Sequence, residues 1–213
     1  MTINIQKGQK IELSKCHEGL NNILVGLGWD PVKRPNESPV KNFLSKFFSG
    51  NSQLDMEEVV HEIDCDAFAI MLDENYKIKN RDYLIYYGNL AEPGGSVRHM
   101  GDNTTGEGEG DDEEIRIALS KVPSDVQHIV FAVTVYDCED KKQDFGLIKG
   151  AFIRVVDDSN GKELLKYNLS ERFEGKTAII IGEVYRRGQG WKFAAIGEST
   201  ADKSIGELIK RYR

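Results

Sequence analysis

The sequence lacks the features of membrane-spanning and secreted proteins. No apolar run reaches the roughly 18 residues that a spanning helix needs, and residues 1–15 contain no hydrophobic signal region. Cysteine is scarce, with three in the chain (Cys16, Cys65 and Cys138) and no C-x-x-C pair. An odd number of widely spaced cysteines is typical of free thiols in a reducing compartment. We therefore expect a cytoplasmic protein.

The sequence also lacks the motifs of common hydrolases. Its four histidines (His17, His61, His99 and His128) do not have zinc-ligand spacing, and neither H-E-x-x-H nor G-x-S-x-G occurs. This pattern favours a binding module over an enzyme.

The composition indicates one domain built mainly from strands. The chain has 213 residues, of which 39% are hydrophobic and 30% charged. Short β-branched and aromatic runs bounded by turn residues predict strands. These runs are 2–6, 10–13, 23–27, 63–72, 83–87, 115–119, 129–136, 151–156, 164–169, 178–186 and 191–196. Turn clusters at 159–161 and 188–190 each predict a hairpin.

The strand pattern predicts the fold class. Ile115, Ile117 and Leu119 alternate with less apolar residues, which suits a sheet with one buried face. The amphipathic helices that a doubly wound α/β fold needs between its strands are mostly missing. We predict an all-β fold, an antiparallel β-sandwich of two sheets, in a single domain over 1–213.

Two segments have helical periodicity instead. In the first, near 40–48, the apolar positions are Val40, Phe43, Leu44, Phe47 and Phe48. It lies in a region, 32–54, that resembles an insertion between strands. In the C-terminal segment the shared face holds Ile205, Leu208, Ile209 and Tyr212. We expect both short helices to cap the sandwich. Alternatively, Phe43 and Phe47 dock a partner or a membrane surface.

The densest charge lies in 101–114, GDNTTGEGEGDDEE. This segment holds seven carboxylates and no basic residue, and without it the formal charge of −7 would be zero. Glycines at 106, 108 and 110 let the backbone fold tightly and turn its carbonyls inward. Clustered hard oxygen donors on a bendable backbone suit Ca²⁺, which takes about six to eight ligands. We interpret the segment as a calcium-binding loop.

Known loop templates fit this segment poorly. In an EF-hand starting at Asp102, Glu113 would hold position 12, but Thr104 and Gly106 stand where acidic or amide ligands belong. A phosphate-binding glycine loop uses backbone N–H groups and usually a lysine, whereas this loop offers negative charge. The same charge argues against a nucleic-acid partner. A solvated surface loop is the alternative interpretation.

Other carboxylates can complete one or two coordination spheres. Asp30 ends the segment GLGWD, and Glu62, Asp64 and Asp66 alternate with apolar residues, so these three share one strand face. Like charges on one face repel one another unless they meet water, a basic side chain or a metal. His99, just before the loop, is expected at the surface or in support of the site.

Several segments together carry a family pattern. They are LVGLGWD at 24–30, SVRHMGDNTTGEGEGDDEEI at 96–115, GEVYRRGQGWKFAAIGE at 182–198, and the stretches 119–137 and 143–170. They resemble the bacterial TerD family of tellurium-resistance and general-stress proteins over nearly the whole chain, and GDNxTGEGxGDDE is a highly specific motif. The resemblance implies a calcium-binding β-sandwich that acts in the cytoplasm against tellurite and other stresses, with no established catalytic reaction.

From the loop and the resemblance together we predict two bound Ca²⁺ ions. The predicted ligands are Asp30, Glu62, Asp64, Asn89, Asp102, Asn103, Thr105, Glu107, Glu109, Asp111, Asp112 and Glu113. The family's acidic strand reads F-D-[IL]-D-A-S-A-F, so Glu62 replaces an aspartate and Asp66 a serine. Asp66 is therefore expected either as an added donor or as an exposed residue.

The resemblance implies a calcium-dependent binding or scaffold role. Expected partners are other tellurium-resistance or stress proteins, including membrane-associated ones. One alternative is a metal-dependent hydrolase or nucleotide-processing enzyme that uses the acidic site. Another is that Cys16 and Cys138 are exposed thiols that meet oxidised tellurium species, although nothing in the sequence lowers their pKa.

Overall fold

The computed structural model describes residues 2–16, 19–31, 33–35, 58–60, 63–101, 110–169, 171 and 173–213. Strands dominate and form two six-stranded sheets and a two-stranded ribbon. The two larger sheets enclose a single apolar core. The predicted all-β sandwich of two sheets is confirmed.

The first sheet carries most of the predicted acidic site. In spatial order its strands are β1 (Ile3–Ile5), β12 (Lys162–Asn168), β11 (Ile148–Asp157), β3 (Asn22–Pro31), β9 (Glu113–Ala118) and β8 (Val97–His99). Neighbours pair antiparallel except at one edge, where β1 runs parallel to β12 with Ile3 opposite Leu165. At this edge the sheet departs from the antiparallel pattern.

The second sheet is antiparallel throughout. Its strands in order are β2 (Lys10–Glu12), β14 (Gly190–Thr200), β13 (Ala178–Arg187), β10 (His128–Val135), β6 (Cys65–Leu72) and β7 (Leu84–Ile85). The turns predicted at 159–161 and 188–190 connect β11 to β12 and β13 to β14. Both predicted hairpins are confirmed.

Strands β6 and β10, in the second sheet, are buried on both faces over most of their length. In β10, Ile129, Phe131 and Val133 point into the core between the sheets. Val130 and Ala132 point the other way, into a second apolar cluster. A strand covered on both sides reads as a continuous apolar run rather than an alternating one, which is the pattern of HIVFAVTV.

Short helices connect and cap the sheets. They are α1 (Leu13–Cys16), α2 (Cys138–Lys141), α3 (Ile205–Leu208) and 3₁₀ turns at Arg81–Tyr83, Leu119–Lys121, Phe145–Leu147 and Ile209–Tyr212. The Oγ of Ser204 caps α3 by accepting a hydrogen bond from the N–H of Glu207. Leu208 and Ile209 are buried in the apolar cluster on the outer face of the second sheet. The predicted capping role of the C-terminal helix is confirmed.

Three short strands differ from the sequence prediction. Strand β8 and the ribbon of β4 (Lys33–Pro35) with β5 (Glu58–Val60) have only three residues each, too few for a visible period. The predicted helix at 40–48 lies outside the described residues, as does most of the proposed insertion at 32–54. Within the described ranges, the helices are all too short or too polar to cross a membrane.

The C-terminal cap should contribute strongly to stability. Leu208 is fully buried, so Leu208→Ala should lower the free energy of unfolding by about 2–5 kcal/mol because it leaves a cavity on the second sheet. Urea unfolding measures this change. Lys210→Ala, an exposed change in the same segment, is the control and should stay within about 0.5 kcal/mol of the parent. Equal effects of the two changes would contradict a stabilising cap.

Candidate metal centre

Acidic residues from three strand ends lie at one end of the sandwich. Asp30 is near the end of β3, Asp64 precedes β6, and residues 111–113 lead into β9. The thiol of Cys65 is buried between these segments. Burial raises its pKa, and so do the nearby charges of Asp64, Asp66, Glu113 and Asp112. The sequence prediction that the loop end, Asp30 and Asp64 approach one another agrees with this placement.

Arg154 in β11 holds the carboxylate of Asp111. Its Nε donates to Oδ1 at 2.7 Å and its Nη2 donates to Oδ2 at 2.8 Å, a two-pronged arrangement that favours both charges. The Asp111 side chain is only 2% exposed. Nη1 of Arg154 donates to Glu163 at 3.2 Å. These contacts, above all the one with Asp111, raise the pKa of the guanidinium.

Two glycines of β3 make room for this arrangement. Gly26 pairs with Arg154 and Gly28 with Phe152 in the strand register. A Cβ at Gly26 would overlap the carboxylate of Asp111, and one at Gly28 would lie 2.5 Å from the Phe152 ring and 2.9 Å from the Gly110 carbonyl. The chain entering β9 therefore crosses β3 where β3 has no side chains.

Asp112 forms hydrogen bonds with the edge of β3 through both its backbone and its side chain. Its N–H donates to the Leu27 carbonyl at 2.8 Å, and its Oδ2 accepts from the N–H of Trp29 at 2.7 Å. Burial raises the pKa of this carboxyl; the Trp29 hydrogen bond opposes that rise, and the charges of Asp30 and Asp111 add to it. A negative charge on Asp112 is thus disfavoured, and a cation beside it would relieve the repulsion.

Glu113 points inward and joins the two sheets. Its Oε2 accepts from the N–H of Ala67 in β6 at 2.6 Å. The His99 Nε2 lies 3.1 Å from the Ala67 carbonyl and 3.3 Å from Glu113 Oε2. Nδ1 of His99 accepts from the N–H of Gly101 at 3.3 Å, which places the ring proton on Nε2 in the neutral tautomer. Glu113 and His99 side chains are each 1% exposed.

The other described candidates lie around this group. Asp30 is exposed, and its Oδ2 is 2.5 Å from where Gly150 (φ +65°) would carry a Cβ. Asp64 Oδ2 is 3.5 Å from the Lys141 Nζ. Nδ2 of Asn89 donates to the Leu84 carbonyl at 2.8 Å and thereby fixes the turn after β7. Metal ligation by these side chains stays a prediction.

The remaining candidates lie outside the described residues. Among the predicted ligands these are Glu62, Asp102, Asn103, Thr105, Glu107 and Glu109, and the same holds for Phe43 and Phe47. In the part of the chain that the structure describes, no three His, Cys, Asp or Glu side chains are arranged to hold a metal ion. The described carboxylates carry hard oxygens, the ligand type that Ca²⁺ prefers.

Sequence reasoning missed some of the residues that shape the site. Arg154 stands between Ile153 and Val155, an alternation that marks it as outward-facing but does not name Asp111 as its partner. His99 is 4% exposed and contacts Glu113, so it does not lie at the surface; its support of a metal site stays a prediction. Asp66 is 5% exposed, so the expectation that it is an exposed residue is wrong.

The exposed-thiol alternative fails at Cys138. Its side chain is buried and its Sγ donates to the Lys203 carbonyl at 3.5 Å. Burial is the main cause that raises the pKa of this thiol. Because the thiolate is the reactive form, a raised pKa makes Cys138 a poor nucleophile at neutral pH.

The Arg154–Asp111 pair should couple the loop to the first sheet. Arg154→Met leaves a buried carboxylate unpaired and should lower the free energy of unfolding by about 2–4 kcal/mol, because the guanidinium is itself partly exposed. Adding Asp111→Asn should restore most of this loss, which a double-mutant cycle by urea unfolding measures. Arg116→Met is the control. Arg116 is exposed, and its ion pairs with Glu114 and Asp158 are long, at 3.8 Å each. Additive effects in the cycle would disprove the coupling.

Comparison with known proteins places the chain in one family. Among curated relatives, it is 49% identical over 212 residues to Stress response protein SCP2 of Bacillus subtilis (strain 168), covering 100% of both chains. It is 39% identical over 201 residues to Tellurium resistance protein TerD of Serratia marcescens, covering 94% of this chain and 92% of that protein.

The solved structures agree in fold. The crystal structure of a homologue of telluride resistance protein (TerD) from Streptomyces coelicolor A3(2) superposes with a TM-score of 0.60 at 19% identity, over 90% of this chain and 95% of that one. The sequence model of the TerD domain matches residues 1–212. With that match and relatives this similar over more than nine tenths of their length, the chain belongs to the TerD domain family.

Proposed function

We propose that this chain is a calcium-dependent, non-catalytic binding module of the cytoplasmic stress response. Its relatives are named for tellurium resistance and for the stress response, and the family membership supports a role of that kind here. The finer proposal is that Ca²⁺ acts at the acidic end of the sandwich. A resident ion there would organise a surface rather than activate a substrate, because Ca²⁺ accepts flexible oxygen coordination.

The position of Asp112 is the observation that carries the proposal. Its carboxylate is fixed by the Trp29 N–H beside two other aspartates, and its pKa is raised by burial and by their charge. A cation bound beside Asp112 would offset the repulsion from Asp30 and Asp111 and would stabilise its charged form. Asp111, by contrast, already has its charge balanced by Arg154.

In the proposed site, both the strand ends and the loop would supply oxygens to the ion. Asp30, Asp64 and Asp112 would supply oxygens from the rigid ends of β3, β6 and β9, and residues 102–109 would supply the rest. Glu113 is already engaged with Ala67 and His99 and would act by holding the loop base in place. Ion binding would then order the loop into a docking surface for another stress protein.

Calcium should raise the melting temperature. At a hundredfold excess over Kd, a ligand that binds the folded state adds about 2.7 kcal/mol, which for a chain of this size is roughly 5–10 °C. Differential scanning calorimetry with Ca²⁺, with Mg²⁺ and with chelator measures the shift. Calorimetric titration and native mass spectrometry give the number of ions, for which we predict two. No thermal shift together with no heat of binding would overturn the proposal.

The variant Asp112→Asn should be at least as stable as the parent without calcium and less stable than the parent with calcium. The amide oxygen can still accept the Trp29 hydrogen bond while the repulsion with Asp30 and Asp111 is removed. Without calcium the variant should therefore melt at or above the parent, and with calcium its shift should be largely lost. Glu74→Gln removes an exposed carboxylate in the turn after the far end of β6 and should keep the full shift. A full calcium shift in Asp112→Asn would contradict the proposed ligand role.

The same variant tests the enzymatic alternative. If the acidic site serves a hydrolase or nucleotide-processing enzyme, a panel of phosphate esters and nucleotides should show metal-dependent turnover that Asp112→Asn abolishes. A binding module should show no such turnover, while calcium should control which stress proteins it captures.

A further inference from the structure

A cleft on the outer face of the second sheet lies apart from the calcium proposal. It has a volume of about 520 Å³ and lies between β6, β10, the segment after β7, and residues 203–206 at the start of α3. This volume is in the range of small-molecule sites, about 300–1,000 Å³. The aromatic residues Tyr86, Tyr87 and Tyr136 line it together with Asp66 and Thr134.

The floor of the cleft is polar and rigid. Asp66 and Thr134 are opposite one another in the register of β6 and β10, so their side chains stand side by side on the outward face. Asp66 is 5% exposed and Thr134 is 1% exposed, although both line the cleft. A carboxylate held at depth by two central strands is strongly attractive to a positively charged group that can reach it.

The walls are aromatic. The rings of Tyr86 and Tyr87 meet edge to face with centroids 5.1 Å apart, and those of Tyr87 and Tyr136 do so at 6.3 Å. Tyr87 and Tyr136 are each 44% exposed, which is high for large aromatic residues. Perpendicular rings around a space present several π faces and edges to one occupant, and π faces attract cations.

The charges around the cleft favour the same occupant. The described residues that line the cleft include the carboxylates of Asp66 and Asp137 and the ammonium of Lys203, which forms an ion pair with Glu139. The ring of Tyr136 already has the ammonium of Lys141 4.9 Å from its centroid. One face of this ring therefore already contacts a cation of the protein. A ligand in the cleft would use the part of the ring turned away from Lys141, which is not one of the residues that line the cleft.

We propose that the cleft binds a small organic cation, a free molecule with an alkylammonium group. The ammonium would lie against Tyr87 and Tyr136 and face Asp66, and the remainder of the molecule would fill the space toward residues 203–206. The inference goes beyond the calcium proposal, because Asp66 and the tyrosines open on the outer face of the second sheet and need no metal ion.

Binding of choline and of its uncharged carbon analogue, dimethylbutanol, tests the charge requirement. The two molecules have nearly the same shape, so calorimetric titration compares a cation with a neutral group of equal size. Choline should bind at least about tenfold more tightly. The titrations are made in excess chelator and repeated in calcium. A failure of choline binding is thereby distinguished from a failure of calcium binding. Equal affinities, or no binding of choline at millimolar concentration, would overturn the proposal.

Variants assign the contacts within the cleft. Asp66→Asn should weaken choline binding about tenfold, and Tyr136→Leu should weaken it to a similar degree. Tyr136→Phe keeps the ring and should bind as the parent does, which also shows that the position tolerates substitution. Glu74→Gln is the charge-matched control and should leave binding unchanged. If Tyr136→Leu binds choline as Tyr136→Phe does, the aromatic contact is disproved.

Discussion

The acidic end of the sandwich depends on the hydrogen bond from the Ala67 N–H to the buried carboxylate of Glu113. Strand β7 has only two residues, so beyond Ala69 no strand of the described part of the chain lies beside this edge of β6. Glu113 and His99, both from the first sheet, occupy the N–H and carbonyl of Ala67 instead. A polar link through the apolar core thus fixes the two sheets relative to each other, since an unpaired buried N–H would be costly.

This link also explains how neighbouring carboxylates acquire different environments. Glu113 is directed inward at the start of β9, whereas in the irregular backbone before it Asp112 bonds the backbone of β3 and Asp111 reaches Arg154 over Gly26. One carboxylate joins the sheets, one completes a strand edge and one is neutralised. At Asp112, burial and the neighbouring charges of Asp30 and Asp111 raise the pKa of the carboxyl.

Much of the fold could be predicted from local pattern, and the site could be predicted only in part. Alternation at Ile115 and Ile117 identified β9, and turn residues identified two hairpins, because these signals act between neighbours in sequence. The high density of acidic residues identified the segment before β9 as a candidate site. The partners of those acids could not be predicted, because Arg154 and Ala67 approach them only through tertiary pairing. Short strands such as β8, with three residues, are too short to show a hydrophobic alternation.

The parallel pairing of β1 with β12 gives the chain a particular order of assembly on the ribosome. Ile3 is made long before its partner Leu165, which follows most strands of both sheets in the chain. Until then the outer edge of the first sheet has no strand to cover it, and the first residues have none to join. During synthesis this edge of the first sheet is open to pairing with another nascent chain until β12 is made and β1 joins it.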